Sequence, residues 1–185
     1  VRGDLPELLE ALAETFLHPG AFPAAEFHEA RAAAWVSPEL AKALDHLLAA
    51  APSEDLAVDY AGLFLVGRDG PTLHLELSAH RHGRLLAPEI LAALEPLYAR
   101  VALSPPTGTA PDHLGLLLAL LAHYLRRLGL QEDPESVEAS RHLIHEFLQP
   151  LTQGLRDSLS GTHALYAAAF DALDATLTLT HGLLG

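Results

Sequence analysis

Twelve histidines in a chain without cysteine put imidazole chemistry first. The pairs His80/His82 and His142/His145 stand at spacings that metal ligands use. No His-Glu-x-x-His or His-x-x-Glu-His signature completes them, and the carboxylates near His80 and His82 are not placed to finish a ligand set. Solvated loop and helix-surface histidines are the simpler reading. A His-dependent metalloenzyme of hydrolase type, using residues such as His80, His82 and His145, is the competing one. The absence of cysteine removes disulfides, thiolate metal sites and thiol nucleophiles together. There is no Gly-x-Ser-x-Gly elbow and no Gly-rich phosphate loop. The expected cofactor set is therefore empty, with no catalytic residue and no metal ligand assigned.

The most unusual local chemistry is Pro111-Asp112-His113, a carboxyl group and an imidazole placed where a long apolar run, Leu114 to Leu128, begins. Thr109 and Asp112 bracket Pro111 at capping-box spacing. One reading puts Asp112 in the first turn of that helix, where free N–H groups and the positive helix end favour an acid, with His113 at the rim. The other has both side chains line a groove. Asp112 then meets a guanidinium, and His113 is a hydrogen-bonding partner.

These residues need a scaffold, and the sequence predicts a helical one. Half of the residues are hydrophobic, dominated by Leu and Ala, with few β-branched side chains. Asp4 and Glu7 form a capping pair ahead of the stripe Leu5, Leu8, Leu9, Leu12 and Phe16. A second helix is predicted over 24–36. Ser37 and Pro38 open a third, carrying Leu40, Leu44, Leu47 and Leu48. Pro52 and Ser53 open a fourth, in which Leu56, Tyr60, Leu63 and Phe64 share a face up to Gly67. From Gly67 to Pro88 the period falls to two: Leu73, Leu75 and Leu77 alternate with His74, Glu76 and Ser78. This predicts an extended, ordered loop that lays its leucines on the core and leaves His80, Arg81, His82 and Arg84 exposed. Further helices follow from Pro88 to about Leu103, over Leu114 to Leu128, after Asp133-Pro134, and after Gly161. The fold class is all-α: one domain over 1–185, a bundle of about eight to ten helices with an extended loop near 67–88.

A formal charge of −13 argues against nucleic acid or an anionic membrane as partner, since both are negative, and favours a basic one. The apolar run at Leu114 is too short for a membrane span and is interrupted by His123, Arg126 and Arg127. The acidic start, Val1 to Glu10, is unlike a secretory signal, so a cytoplasmic location is expected.

In order and spacing these motifs resemble the TorD/DmsD/NarJ family of redox-enzyme maturation chaperones. Asp59-Tyr60 with Leu63-Phe64, then Gly67, Gly70 and Pro71, then Glu76 with Ser78, then Pro111-Asp112-His113 are similar to the family's helix, turn, extended segment and helix start. Ala110 stands where many members have Glu, Leu77 separates Glu76 from Ser78, and Pro150-Leu151 and Gly154 replace a His-Leu and a Trp. The resemblance implies a non-enzymatic chaperone for the apo form of a molybdopterin-containing oxidoreductase. It would bind that enzyme's N-terminal leader, with a twin-arginine signal as the expected type, and assist cofactor insertion before export. Binding would be helix-in-groove, with Asp112, Asp59 and Glu76 orienting arginines and Tyr60, Phe64, Ser78, Pro111 and His113 beside them. The resemblance also implies a monomer or a domain-swapped dimer, with the segment 67–88 as hinge. A helical adaptor for an unrelated partner is the third reading, and it predicts binding indifferent to arginine.

Overall fold

The computed structural model describes residues 4–33, 37–50, 56–65, 73–130, 133–159 and 163–185, with the backbone alone for 129 and 130. Among these residues ten α-helical segments run in order: α1 Leu5–Leu17, α2 Ala24–Ala32, α3 Pro38–Ala49, α4 Leu56–Tyr60, α5 Leu77–His82, α6 Pro88–Arg100, α7 Leu114–Leu130, α8 Pro134–Leu143, α9 Gln149–Ser158 and α10 Ala164–Leu184. Two π turns, Ala61–Leu65 and Ile144–Leu148, extend α4 and α8. Among the described residues there is no strand, only an isolated antiparallel bridge between Glu76 and His113. The fold is the all-helical bundle that the leucine stripes predict.

The bundle is built around α7, whose Leu117, Leu118, Leu121 and Ala122 are fully buried. Helix α1 packs along it, and Gly115 makes the close approach feasible. A Cβ there would lie 2.4 Å from Leu17 Cγ and 3.0 Å from the Ala13 carbonyl oxygen. Gly115→Ala is therefore expected to destabilise the fold by about 1–3 kcal/mol through overpacking, read as a lower urea midpoint with unchanged helical circular dichroism. Arg126 of α7 pairs with Glu7 and Glu10 of α1 and ties the outer edges of the two helices. On the far side of α1, Phe16 stacks on Phe170 of α10 at 5.0 Å. Thr176 and Thr180 are buried in α10 because their hydroxyls donate to carbonyls one turn back.

Local signals explain most boundaries. Ser37 caps α3 by accepting the Leu40 N–H at 3.2 Å, and Asp133 caps α8 by accepting that of Glu135 at 3.2 Å. Asp4 holds the N-cap position of α1, but its side chain makes no capping bond. Helix α2 ends at Ala32, where Ala33 turns extended; residues 34–36, the rest of the predicted second helix, lie outside the described residues. So do Pro52, Ser53, Gly67, Gly70, Pro71 and Gly161, to which starts, stops and a hinge were assigned. Helix α6 stops at Arg100 rather than near Leu103, because Ala102 takes a left-handed φ of 53°. The π turn at Ile144–Leu148 has a cause in Pro150, which lacks an N–H and whose ring clashes with the carbonyl four residues back. The wider turn relieves this, and the Gln149 N–H reaches five residues back to the Ile144 oxygen.

The expected loop over 67–88 needs a correction. Leu73, Leu75 and Leu77 are buried as the alternation requires, but residues 77–82 are helical, not extended. The period of two therefore ends at Leu77, and Ser78, expected on the outer face, is fully buried.

Candidate functional site

The Pro111-Asp112-His113 tripeptide caps two helices at once. His113 precedes α7, and its Nδ1 accepts the Gly115 N–H at 3.2 Å, satisfying one of the donors the helix start leaves free. Asp112 is not in the first turn of α7, as the capping-box spacing suggested. Its Oδ2 accepts the Ser78 N–H at 2.7 Å, in the first turn of α5, while the Ser78 hydroxyl accepts the Ala87 N–H at 3.1 Å. Backbone bonds on either side hold the two segments together: Leu77 N–H to the Asp112 oxygen at 3.2 Å, and Leu114 N–H to the Leu75 oxygen at 2.7 Å. The tripeptide thus fastens the 75–78 segment to the start of the central helix.

Burial sets the electrostatics. His113 is 9% exposed, and burial pushes its pKa down to about 4 although Asp112 pulls the other way. A neutral ring is what the cap requires, because only an unprotonated Nδ1 accepts an N–H. Glu76 is half-buried and its pKa is raised, first by burial, against which His74 acts. Asp112 is fully buried and its Oδ1 has no hydrogen-bond partner. In this arrangement it presents no surface to an incoming guanidinium, so the direct Asp112–arginine contact expected from the sequence does not fit the geometry. Asp112→Ala would leave the Ser78 N–H unpaired in the interior, at a cost of about 1–3 kcal/mol. Asp112→Asn keeps an acceptor there and should cost less than Ala in the same urea titration.

The remaining candidates divide by depth. Tyr60 and Phe64 belong to the core: their rings meet edge-on at 5.0 Å, Phe64 meets Tyr166 at 5.0 Å, and the Tyr60 hydroxyl donates to the Phe16 oxygen at 2.7 Å. Asp59, beside them, is half-buried and its charge helps to raise the pKa of Tyr166. Of the expected residues, Pro111 lines a cavity beside α6. This groove, of about 440 Å³, runs along α6 between Leu91, Leu94, Tyr98 and Leu103, with exposed Glu95 on its rim. The Tyr98 hydroxyl donates to the Pro111 oxygen at 2.8 Å and joins the groove to the double cap. Leu91, Leu94, Glu95 and Tyr98 were missed at the sequence level, although their spacing of three, four and seven residues marks one face of a helix. A larger cavity, about 530 Å³, lies between α3 and α10 over Ala43, Ala175 and Leu179. None of the expected residues lines it.

His80, His82 and His145, the histidines of the metalloenzyme reading, each have a different hydrogen-bonding or ionic neighbour. His80 Nε2 lies 2.7 Å from the His74 oxygen, and its ring fills the space at Gly154, where a Cβ would come within 2.9 Å of Nδ1. A large side chain at 154, such as Trp, would collide with it. His82 faces Glu89 at 3.7 Å, and His145 faces Gln149 at 2.9 Å. Among the described residues no group of three or more His, Asp or Glu side chains is arranged to hold a metal ion.

Fold and site together define a helical protein in which a double cap braces an apolar groove with one acid, Glu95, on its rim. The family model described as nitrate reductase delta subunit matches residues 24–157. The chain belongs to that family, one of molybdoenzyme maturation chaperones. No curated protein and no solved structure gives a match. Among the described residues no helix is long and apolar enough to cross a membrane.

Proposed function

We propose that this chain is a cytoplasmic, non-catalytic chaperone that captures the N-terminal leader of a molybdopterin-containing oxidoreductase and holds the apoenzyme for cofactor insertion and assembly before export. The observation that carries the reading is the α6 groove: leucine walls, one exposed carboxylate at Glu95, and a floor pinned at Pro111 by the double cap. A twin-arginine leader places basic residues beside an apolar helix-prone stretch, and that is the chemistry the groove complements. Each leucine-sized side chain that leaves water there contributes about 1.5–3 kcal/mol before ordering costs are met. The excess negative charge of the chain favours approach of a basic segment.

In this account Asp112 and His113 act from beneath the groove by fixing Pro111 and the start of α7. Glu95, the exposed acid on the groove's rim, orients the leader's arginines. A guanidinium meets a carboxylate with two parallel N–H donors, and an ammonium does not reproduce this. Calorimetry with a twin-arginine leader peptide and its Arg→Lys version is expected to give about tenfold tighter binding of the arginine form. Equal binding, or none, would remove the arginine-reading groove.

A further inference from the structure

The geometry points to a two-histidine site for a divalent transition-metal ion, formed by His145 and His181 where the π turn at Ile144–Leu148 meets the end of α10. The two rings lie 4.6 Å apart, centroid to centroid, and are inclined by 78°. A metal ion about 2.1 Å from an imidazole nitrogen lies about 3.2 Å from the ring centroid. Two such arms ending 4.6 Å apart meet at about 90°, the angle of a cis chelate. The separation of the two rings is therefore that of a pair of imidazoles sharing one ion.

A second contact prepares one of the ligands. Gln149 Oε1 lies 2.9 Å from His145 Nδ1, and a carboxamide oxygen can only accept, so Nδ1 carries the proton and Nε2 keeps its lone pair. Such an outer partner is how metal-ligating imidazoles are commonly oriented. Both rings are exposed, so an ion reaches them without any opening of the bundle, and water completes its shell. The supporting elements are fixed: Arg141 of α8 donates to the Leu184 oxygen at the end of α10. His142, one turn before His145, is held edge-on against Phe147 at 5.5 Å and is not a third ligand. Imidazole donors of this kind suit Cu2+, Ni2+ and Zn2+ and not Mg2+ or Ca2+. A bound ion would staple the end of α10 to the α8–α9 junction. The site does not depend on the leader-binding reading.

The test is titration of the full chain, stripped with chelator, with NiCl2, followed by calorimetry and by melting temperature. Wild type is expected to take up one equivalent of Ni2+ and to melt at a higher temperature in its presence. His145→Gln and His181→Gln should each weaken binding by about tenfold or more, as should Gln149→Leu through loss of the outer contact. His142→Gln should leave affinity unchanged, and circular dichroism checks that the variants fold. Wild-type affinity in His181→Gln, loss of binding in His142→Gln, uptake spread over many histidines, or no uptake would each overturn the proposal.

Discussion

Acidification from pH 6.5 toward 4 is expected to cost this protein up to about 3 kcal/mol of stability through His113 alone. Its pKa is pushed down from 6.5 to about 4 in the folded chain, chiefly by burial. As pH falls below 6.5 the unfolded chain takes up this proton first and the folded chain does not. The contribution is fully present above the unfolded value and is lost as pH falls through the window between the two. A separation of that size corresponds to about 3 kcal/mol. Protonation would also break the cap on α7, since Nδ1 would cease to accept the Gly115 N–H. Glu76 works in the opposite direction: its pKa is raised by burial, so the folded chain binds that proton more readily than the unfolded one. The two are separated by His113→Gln. Urea midpoints at pH 7 and pH 4.5 should differ widely in wild type and much less in this variant. An equal pH dependence in both would show that His113 is not buried as a neutral cap.

Leu91→Ser combined with Leu103→Ser should weaken leader binding by about 100-fold, equivalent to about 2.7 kcal/mol, while the melting temperature changes little. Leu91 is half-buried and Leu103 is 39% exposed, so neither anchors the core, yet both wall the groove. Serine at both positions deletes apolar contact that only the complex would make, without adding a charge. Glu95→Arg should act more selectively, removing the preference for arginine over lysine and adding like-charge repulsion. Asp112→Asn, which keeps the cap's acceptor without a formal charge, should leave affinity close to wild type. Fluorescence anisotropy with a labelled leader peptide distinguishes these cases. Loss of binding in Asp112→Asn with the groove variants unaffected would return the arginine contact to Asp112.

How far the sequence could be read depended on how local each determinant is. The stripes through Leu5–Phe16 and Leu114–Leu128, and the caps at Ser37 and Asp133, lie within a few residues of what they specify, so the helices they define were legible. Helix α5 was not. Its first turn is satisfied by Asp112, 34 residues further on, while the alternation of Leu73, Leu75 and Leu77 imitates a strand up to the residue where the helix begins. The π turn left its mark in Pro150, but a single proline near a helix start is equally compatible with an unbroken helix. At the site, Pro111-Asp112-His113 announced itself by composition. The direction of the Asp112 side chain did not, because an acid ahead of an apolar helix can cap, face solvent or turn inward, and only the neighbouring 75–78 segment decides. Tyr60 and Phe64 share the stripe of Leu56 and Leu63, and the aromatic contact with Tyr166 is what draws them inside. The meeting of His145 with His181 spans 36 positions, and no spacing rule reports it.

Amide hydrogen exchange with and without a twin-arginine leader peptide tests most directly whether the α6 groove is the binding surface. Added protection is expected over residues 88–111, in α6 and the segment that closes onto Pro111. Protection confined to the α3–α10 face, or an exchange pattern that the peptide leaves unaltered, would contradict it.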